Sequence, residues 1–527
     1  MQEGRLIKRE TGEYWDSMTK TSNTTAFSDR QRTSLFWACF IALTATSFGF
    51  AIRAMLITEW GSAFNLSKTQ MGEIMGVGLW PFAVSIVLFS LIIDKIGYGK
   101  AMIFAFTCHI TSVIITITAS GYNMLYLGTF IFALGNGTIE ATINPIVATM
   151  YKENKAKWMN ILHAAWPGGM VISGILAMSM GPQVKWQLKI ALLLIPMLLY
   201  GILLLRKKFP VNERVVAGVS FKDMLKEVGI LGALIIISLM VFEVGNFFDA
   251  SLWLKIIIIV FIVGAFGVYV RSLGRPLFIF LLLIMFPLAT TELGTDSWIV
   301  DLMSTEMNQM GLQAGWILVY TAAIMTIFRF AAGPLLRIFK PIGLLIFCSV
   351  VAAIGLFSLS LATGILIFVV ATIYGFAKAY FWPTMMGIAG ERFPKGGALT
   401  INMITAVGMI GVGIVGAVFL GFIQDTETDR KIQEFDQHEQ TELHTTYVTV
   451  EKKSLFGDYR SLDSDKLDSA AEDEKNIVSN IQLNAQKSAL KTVAILPLIM
   501  LACFIILLLY FRSIGGYKSI TLVKGKT

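Results

Sequence analysis

The sequence predicts an all-α polytopic membrane protein: two six-helix bundles with an extra two-helix hairpin between them, about fourteen spans in all. Three observations predict it. Hydrophobic residues make up 55% of the 527 and charged residues 15%, with a mean hydropathy of +0.69, a composition of membrane proteins rather than of several soluble domains. Apolar runs recur at the roughly 20-residue length that a bilayer requires. The chain also repeats itself: Gly375, Lys378, Pro383 and Glu391 each lie 238 residues after Gly137, Glu140, Pro145 and Glu153, and Arg275, Gln313, Gly315 and Gly333 lie 243 after Arg32, Gln70, Gly72 and Ser90. Repeats of this kind point to a site near mid-membrane where the two copies meet.

Taken in order, residues 1–33 mix Arg5, Lys8, Arg9, Glu10, Asp16 and Lys20 with polar residues and lack the apolar core of a cleavable signal peptide. Arg30 and Arg32 directly before the first span predict a cytoplasmic N-terminus. The first bundle, 34–205, holds spans at about 34–57, 71–93, 101–120, 124–149, 160–181 and 187–205. Lys95 and Lys100, then Lys152, Lys155 and Lys157, then Arg206, Lys207 and Lys208 fall on alternate loops, the positive-inside pattern. A cytoplasmic linker follows at 206–228, and then an extra hairpin at 229–271, whose two runs keep every later loop on its expected side. The second bundle, 272–512, holds spans at about 277–301, 312–332, 342–362, 365–389, 398–423 and 489–511. It is interrupted at 424–487 by fifteen Asp or Glu against eight Lys or Arg, about −7, on the non-cytoplasmic side. That stretch reads as a solvated, partly disordered loop rather than a substrate-capturing cap. The tail 513–527, with Lys518, Lys524 and Lys526, returns to the cytoplasm.

Several function classes fall away. The net charge of +8 comes from short basic runs between apolar segments, which set orientation and do not form a nucleic-acid footprint. Cys39, Cys108, Cys348 and Cys503 each sit inside an apolar segment without CxxC spacing, as free thiols rather than metal ligands. No phosphate-cradling GxxxxGK[ST] occurs, and no nucleophile, base and orienting group stand at a telling spacing. No enzyme activity and no cofactor are expected.

The charged residues inside spans carry the functional argument, because an intramembrane ionisable group costs several kcal/mol unless it faces a partner or a cavity. Counting inward along the helix, Glu140 lies about 18 Å from Lys152 and Lys378 about 21 Å from Arg392, near mid-membrane for both. The 238 offset relates Glu140 to Lys378 and the 243 offset relates Arg53 to Asp296, so two repeat-related pairs of opposite sign are expected. They either touch substrate or are buried ion pairs that hold the bundles in register. Aromatic platforms are available in Trp80, Trp166, Trp298 and Trp382. His109 and His163 are candidates for a proton relay, with His163 favoured beside Asn160 and Trp166.

Ser90-Leu-Ile-Ile-Asp94-Lys95-Ile-Gly97-Tyr-Gly-Lys100 resembles the cytoplasmic motif of the major facilitator superfamily, departing from it at Ser90 and at Tyr98-Gly99. Its duplicate, Gly333-Pro-Leu-Leu-Arg337-Ile-Phe-Lys340, is more degraded. The resemblance implies gating or ion-pairing roles for Arg53, Asp94, Lys95 and Arg337, with Asp94 capping helix N-termini and meeting a basic side chain when the bundles close. Gly135, Gly137, Glu140, Asn144 and Pro145 form a pattern similar to the fourth span of the fucose:proton symporter family, which moves monosaccharides with protons. Thr291 to Trp298 is similar to the seventh span of sugar-carrying relatives. Where that family has an acid in its first span, this chain has Ile52-Arg53-Ala54, so one protonatable site is absent.

The resemblance implies a transporter of a monosaccharide or small glycoside working by alternating access, with a proton or sodium as the coupling ion. Substrate contacts are expected from Glu140, Asn144, His163, Glu292, Asp296, Trp298, Lys378 and Trp382, with Glu140 or Glu292 carrying the proton. It implies an integral, monomeric protein of a bacterial inner membrane. An organic anion held by Arg53 and Lys378 is the alternative, and a nutrient sensor without transport is a third.

Overall fold

Helices dominate because a backbone group in hydrocarbon must find its hydrogen bond within its own segment. A computed structural model describes residues 27–522, apart from 67, 182, 314, 414–416 and 455. The tail charges from Arg5 to Lys20, and Lys524 and Lys526, lie outside the described residues.

The first half runs through α1 (Asp29–Phe64), α2 (Lys68–Gly76), α3 (Trp80–Ile96), α4 (Tyr98–Ile117), α5 (Tyr122–Met150), α6 (Lys155–His163), α7 (Ala165–Ser179), α8 (Trp186–Ala191) and α9 (Leu194–Leu204). Ser28 and Gln31 start α1 with a reciprocal capping box. The linker holds α10 (Glu213–Val216), and the hairpin is α11 (Phe221–Phe247) and α12 (Leu252–Val270). The second half continues through α13 (Pro276–Ala289), α14 (Thr295–Leu302), α15 (Ser304–Gln309), α16 (Gly315–Phe330), α17 (Ala332–Ile338), α18 (Pro341–Leu359), α19 (Leu366–Lys378), α20 (Phe381–Arg392) and α21 (Gly397–Gly411).

Eleven described helical segments are long and apolar enough to cross a membrane, or twelve when α16 and α17, bent by 59°, count as one. The expected fourteen stands two above that. The difference lies with α5, whose 29 residues include a Gly-Asn-Gly-Thr run and Glu140, and with α21, which is 15 residues long and is followed by residues outside the described set.

Glycine decides how closely α5 approaches α3. A Cβ at Gly137 would stand 2.1 Å from the Phe82 carbonyl oxygen, so no other residue permits this spacing. The hairpin is clasped at its base. Gly229, at φ +62°, lets the backbone N–H groups of Ile230 and Leu231 donate to the carbonyls of Ser272 (2.9 Å) and Leu273 (3.2 Å). At its other end Phe247 stacks on Tyr126 at 5.5 Å and tilts against Trp80, while α11 also packs on α13 and α21. The hairpin therefore touches both halves.

The polar interruption is ordered, which corrects the reading of 424–487 as a partly disordered loop. Helix α22 (Ala417–Glu439) runs through it to α23 (Leu443–Tyr447), β1 (Val450–Ser454), β2 (Gly457–Ser461), α24 (Ser464–Asp468) and α25 (Glu472–Val493), which leads into α26 (Ile495–Ser513). The two strands pair antiparallel, with Val450 opposite Ser461. Ile432, Leu443, Tyr447, Val448, Val478 and Ile481 form a small core of their own. Acidic excess did not prevent folding because the acids are used locally. Glu427 and Glu434 both bind Arg430, Asp425 binds Lys452 at 2.9 Å, and Asp463 caps α24, where the Lys466 N–H holds its carboxyl below the usual range.

Candidate functional site

Two irregularities in the second half open its interior to side-chain chemistry. Pro287 interrupts the bonding of α13, and a π turn at Thr290–Gly294 follows it, the local widening that often marks functional positions. Glu292 sits in that turn, buried. One of its oxygens accepts from Arg329 Nη2 at 2.6 Å and the other from the Trp382 backbone N–H at 3.2 Å. Arg329 is also buried and donates from Nε to the Ala379 carbonyl (2.7 Å) and from Nη1 to the His163 carbonyl of the first half (2.8 Å). Helix α19 ends at Lys378, which is fully buried and donates from Nζ to Asp296 Oδ1, with the Tyr374 ring 5.1 Å away. The Tyr374 hydroxyl donates to the Thr291 carbonyl beside the π turn.

The first half is built differently. Glu140 is buried and, among the described residues, accepts only from Asn144 Nδ2, at 3.3 Å, one helical turn on. Asn144 Nδ2 also donates to Asn402 Oδ1 at 3.1 Å, and Asn144 Oδ1 lies 3.2 Å from His163 Nε2. Since the Asn144 oxygen accepts, His163 carries its proton on Nε2 in this arrangement. Asn402 donates in turn to Ser90 Oγ (2.8 Å) and the Ala141 carbonyl (3.2 Å). From Glu140 a continuous polar path thus runs through Asn144 to His163, whose own carbonyl holds Arg329 and thereby Glu292.

The expected pairing of charges is corrected. Lys378 meets Asp296 and not Glu140, and Arg53 does not reach Asp296. Arg53 instead donates to Ser112 Oγ at 2.8 Å and lies 4.0 Å over the Phe132 ring, inside the first half, with Nε unpartnered among the described residues. A repeat offset fixes the helix and the depth of a residue, while facing changes by about 100° with each position along a helix. Arg329 was missed. It stands next to the end of α16, where an apolar run normally meets water, but the 59° bend into α17 keeps it inside. The available signal was an arginine inside the apolar run, preceding the Gly333 motif.

Of the remaining expected residues, Asn144, His163, Glu292 and Trp382 join the site. The Trp382 ring, however, packs into the notch at Gly408 on α21, so its backbone N–H rather than its face reaches Glu292. The Trp298 side chain lies outside the described residues. His109 is placed elsewhere, bonded to Asn136 (2.9 Å) and the Tyr200 hydroxyl (3.1 Å) within the first half. Asp94 forms an ion pair with Arg214 of the linker helix, at 2.5 Å and 3.1 Å. Lys95 and Arg337 are exposed and form no ion pair among the described residues.

Side-chain bonds between the halves cluster from mid-depth towards the face that carries Asp94. Lys155 binds the Gly390 carbonyl at 2.9 Å, the Ala156 N–H binds Glu391 at 3.1 Å, and Asn160 binds Thr384 at 3.1 Å. Gly387 permits this closure, because a Cβ there would stand 2.4 Å from Ala156 Cα. These contacts shut the Asp94 face.

Residues 36–417 match the family model of the Major Facilitator Superfamily. A TsgA homolog from Buchnera aphidicola subsp. Schizaphis graminum is 25% identical over 181 residues, which cover 34% of this chain and 47% of that protein, about half its length. Among solved structures, the human organic anion transporter MFSD10 (TETRAN) aligns over 90% of this chain and 99% of its own at 11% identity, with a TM-score of 0.59. FucP in its outward conformation, the E. coli fucose:proton symporter, aligns over 88% and 98% at 14% identity, with a TM-score of 0.56. The proton:xylose symporter XylE, bound to 6-bromo-6-deoxy-D-glucose, aligns over 95% and 98% at 13% identity, with a TM-score of 0.59. At these identities the structural likeness speaks for the fold. The family model reaches from α1 to the start of α22, across both copies of the internal repeat, and the chain therefore belongs to the Major Facilitator Superfamily, an integral membrane transporter and not an enzyme.

Proposed function

We propose that the chain carries a monosaccharide or small glycoside by alternating access, coupled to a proton that Glu140 takes up and releases. One observation carries this reading. Glu140 is a buried carboxylate with no cation beside it among the described residues, one amide away from the contact between halves. Its charge is uncompensated where the charge of Glu292 is matched by Arg329. Opening the Asp94 face has to break the Asn144–Asn402 contact, so the setting of Glu140 changes with the conformation that exposes it. A sugar offers hydroxyls that donate and accept, and a site of amides, a histidine and carboxylates can satisfy both. The sugar symporters among the structural neighbours agree with this chemistry.

In this reading the halves are 34–205 and 272–512, both termini and the Asp94 face are cytoplasmic, following the positive-inside pattern, and a monomer of a bacterial inner membrane does the work. The organic-anion alternative rests on Arg53, a buried cation that meets no acid among the described residues. Purified protein in proteoliposomes with an imposed proton gradient, offered sugars and organic acids, separates the two. Glu140→Gln is expected to abolish gradient-driven accumulation while counterflow exchange continues. Full accumulation by the variant removes Glu140 as the proton carrier.

A further inference from the structure

Away from the central charges, a cavity of about 600 Å³ opens on the Asp94 face between the hairpin base, the first turns of α13, the end of α20, α26 and the C-terminal tail. Its volume is that of a site for a drug-sized ligand. Three cations line it, Arg275, Arg392 and Lys395, against one acid, Glu227, which already accepts from Arg275 at 3.1 Å. Arg392 is held in place without being neutralised. Its Nη1 donates to the Lys518 carbonyl at 2.6 Å, its guanidinium lies 5.0 Å from the Phe511 ring, and its Nε is buried with no partner among the described residues. Leu277, Phe280, Ile506, Leu507 and Tyr510 line its membrane side. Phe280 stands five residues into the membrane from Arg275, about 7 Å deeper, and Ile506 one turn deeper than Tyr510. Ile506 and Tyr510 are 55% and 44% exposed on the outer surface of α26.

We propose that this cavity is a binding site for an anionic phospholipid of the adjoining leaflet, the phosphate lying among Arg392, Lys395 and Arg275 and the acyl chains running down Leu277, Phe280 and Ile506. The layering carries the assignment to a lipid. Charge is confined to the water-facing end, while the deeper end at Leu277, Phe280 and Ile506 is apolar, the profile of a lipid at its interface. A soluble anion would use only the upper half. The site also touches a conformational element. Ile520 lines the cavity, and its N–H donates to the Glu391 carbonyl at 2.8 Å, while Tyr517 donates to the Glu391 carboxylate at 2.6 Å. Glu391 is the residue that binds the Ala156 N–H across the halves. A lipid seated on Arg392 and Ile520 therefore supports the tail that braces the closed face.

Full-length protein in nanodiscs of phosphatidylcholine, with and without phosphatidylglycerol, provides the test, read as retained lipid by native mass spectrometry and as melting temperature. Wild type is expected to retain phosphatidylglycerol and to melt higher in its presence, and Arg392→Gln with Lys395→Gln is expected to bind it about tenfold more weakly. Lys208→Gln with Lys340→Gln removes the same charge from exposed positions and is expected to leave retention unchanged. Should Arg392→Gln prove too unstable, Lys395→Gln with Arg275→Gln carries the same expectation. Equal retention by the cavity and control variants overturns the site, and stabilisation by inorganic phosphate alone to the same extent overturns the lipid assignment.

Discussion

The two halves descend from one repeat and handle buried charge in opposite ways. In the second half both carboxylates are matched, Glu292 by Arg329 and Asp296 by Lys378. In the first half Glu140 has only an amide among the described residues, and the buried Arg53 of α1 turns towards Ser112 and Phe132. A matched pair holds its charge and its place. An unmatched carboxylate is costly when charged and gains by meeting a proton. Under the reading proposed above, this difference fits a scaffold role for the second half and an exchangeable proton on the first.

The largest expected effect comes from breaking a matched pair. Arg329→Met leaves Glu292 charged and buried and removes the bond to the His163 carbonyl, so a loss of about 3–5 kcal/mol in stability is expected. Adding Glu292→Gln is expected to return part of it, since no orphaned charge remains. Glu140→Gln alone has no cation to orphan and is expected to stay within about 1 kcal/mol. Thermal unfolding of the four proteins in one detergent checks the contrast. A Glu140→Gln loss as large as that of Arg329→Met would mean that both halves balance charge alike.

The glycines of the repeat sharpen the comparison at a smaller scale. Gly137 and Gly375 are repeat mates, but a Cβ at Gly137 would meet the Phe82 carbonyl at 2.1 Å, whereas at Gly375 its nearest neighbour is Ile324 Cγ2 at 3.1 Å. Backbone cannot step aside and a side-chain methyl can. Gly137→Ala is expected to cost about 1–3 kcal/mol, and Gly375→Ala to stay near zero because lost packing is offset by better helix propensity of roughly 1 kcal/mol. Melting temperatures of the two variants measure it, and equal losses would show that the approach of helices is symmetric after all.

Fold and site were not equally legible in the sequence. The two halves, the hairpin and the burial of Glu140, Asn144, His163, Glu292 and Lys378 follow from apolar run length, repeat offsets and the cost of charge in a membrane, all of which are one-dimensional quantities. Partnership is not. Asp296 and Arg53 lie at matching repeat positions, yet a π turn shifts the facing of everything after Glu292, and the bend after α16 keeps Arg329 in the interior. Asn402, which ties α21 to Asn144, Ser90 and Ala141, had no signal beyond being one more amide in an apolar run. The order in 424–487 was hidden because its core draws on apolar residues as far apart as Ile432 and Ile481.

The smallest expected effect is a coupling that should vanish. Glu140 and Lys378 are repeat mates of opposite charge, and the sequence leaves Lys378 to be balanced by Glu140 or Glu292. In the structure Lys378 binds Asp296 beside Tyr374, and Glu140 binds Asn144. Lys378→Met orphans Asp296 whatever stands at position 140, so combining it with Glu140→Gln should give additive losses, with a coupling energy inside about 0.5 kcal/mol. Lys378→Met with Asp296→Asn removes both members of a real pair and should show a coupling of about 0.5–3 kcal/mol. Both cycles, run on thermal stability and on substrate affinity, share one single mutant, so a general weakening of the protein moves them together and cannot imitate the difference. Coupling of Lys378 to Glu140 in affinity but not in stability would show that the two charges meet only through bound substrate, in a conformation with the Asp94 face open.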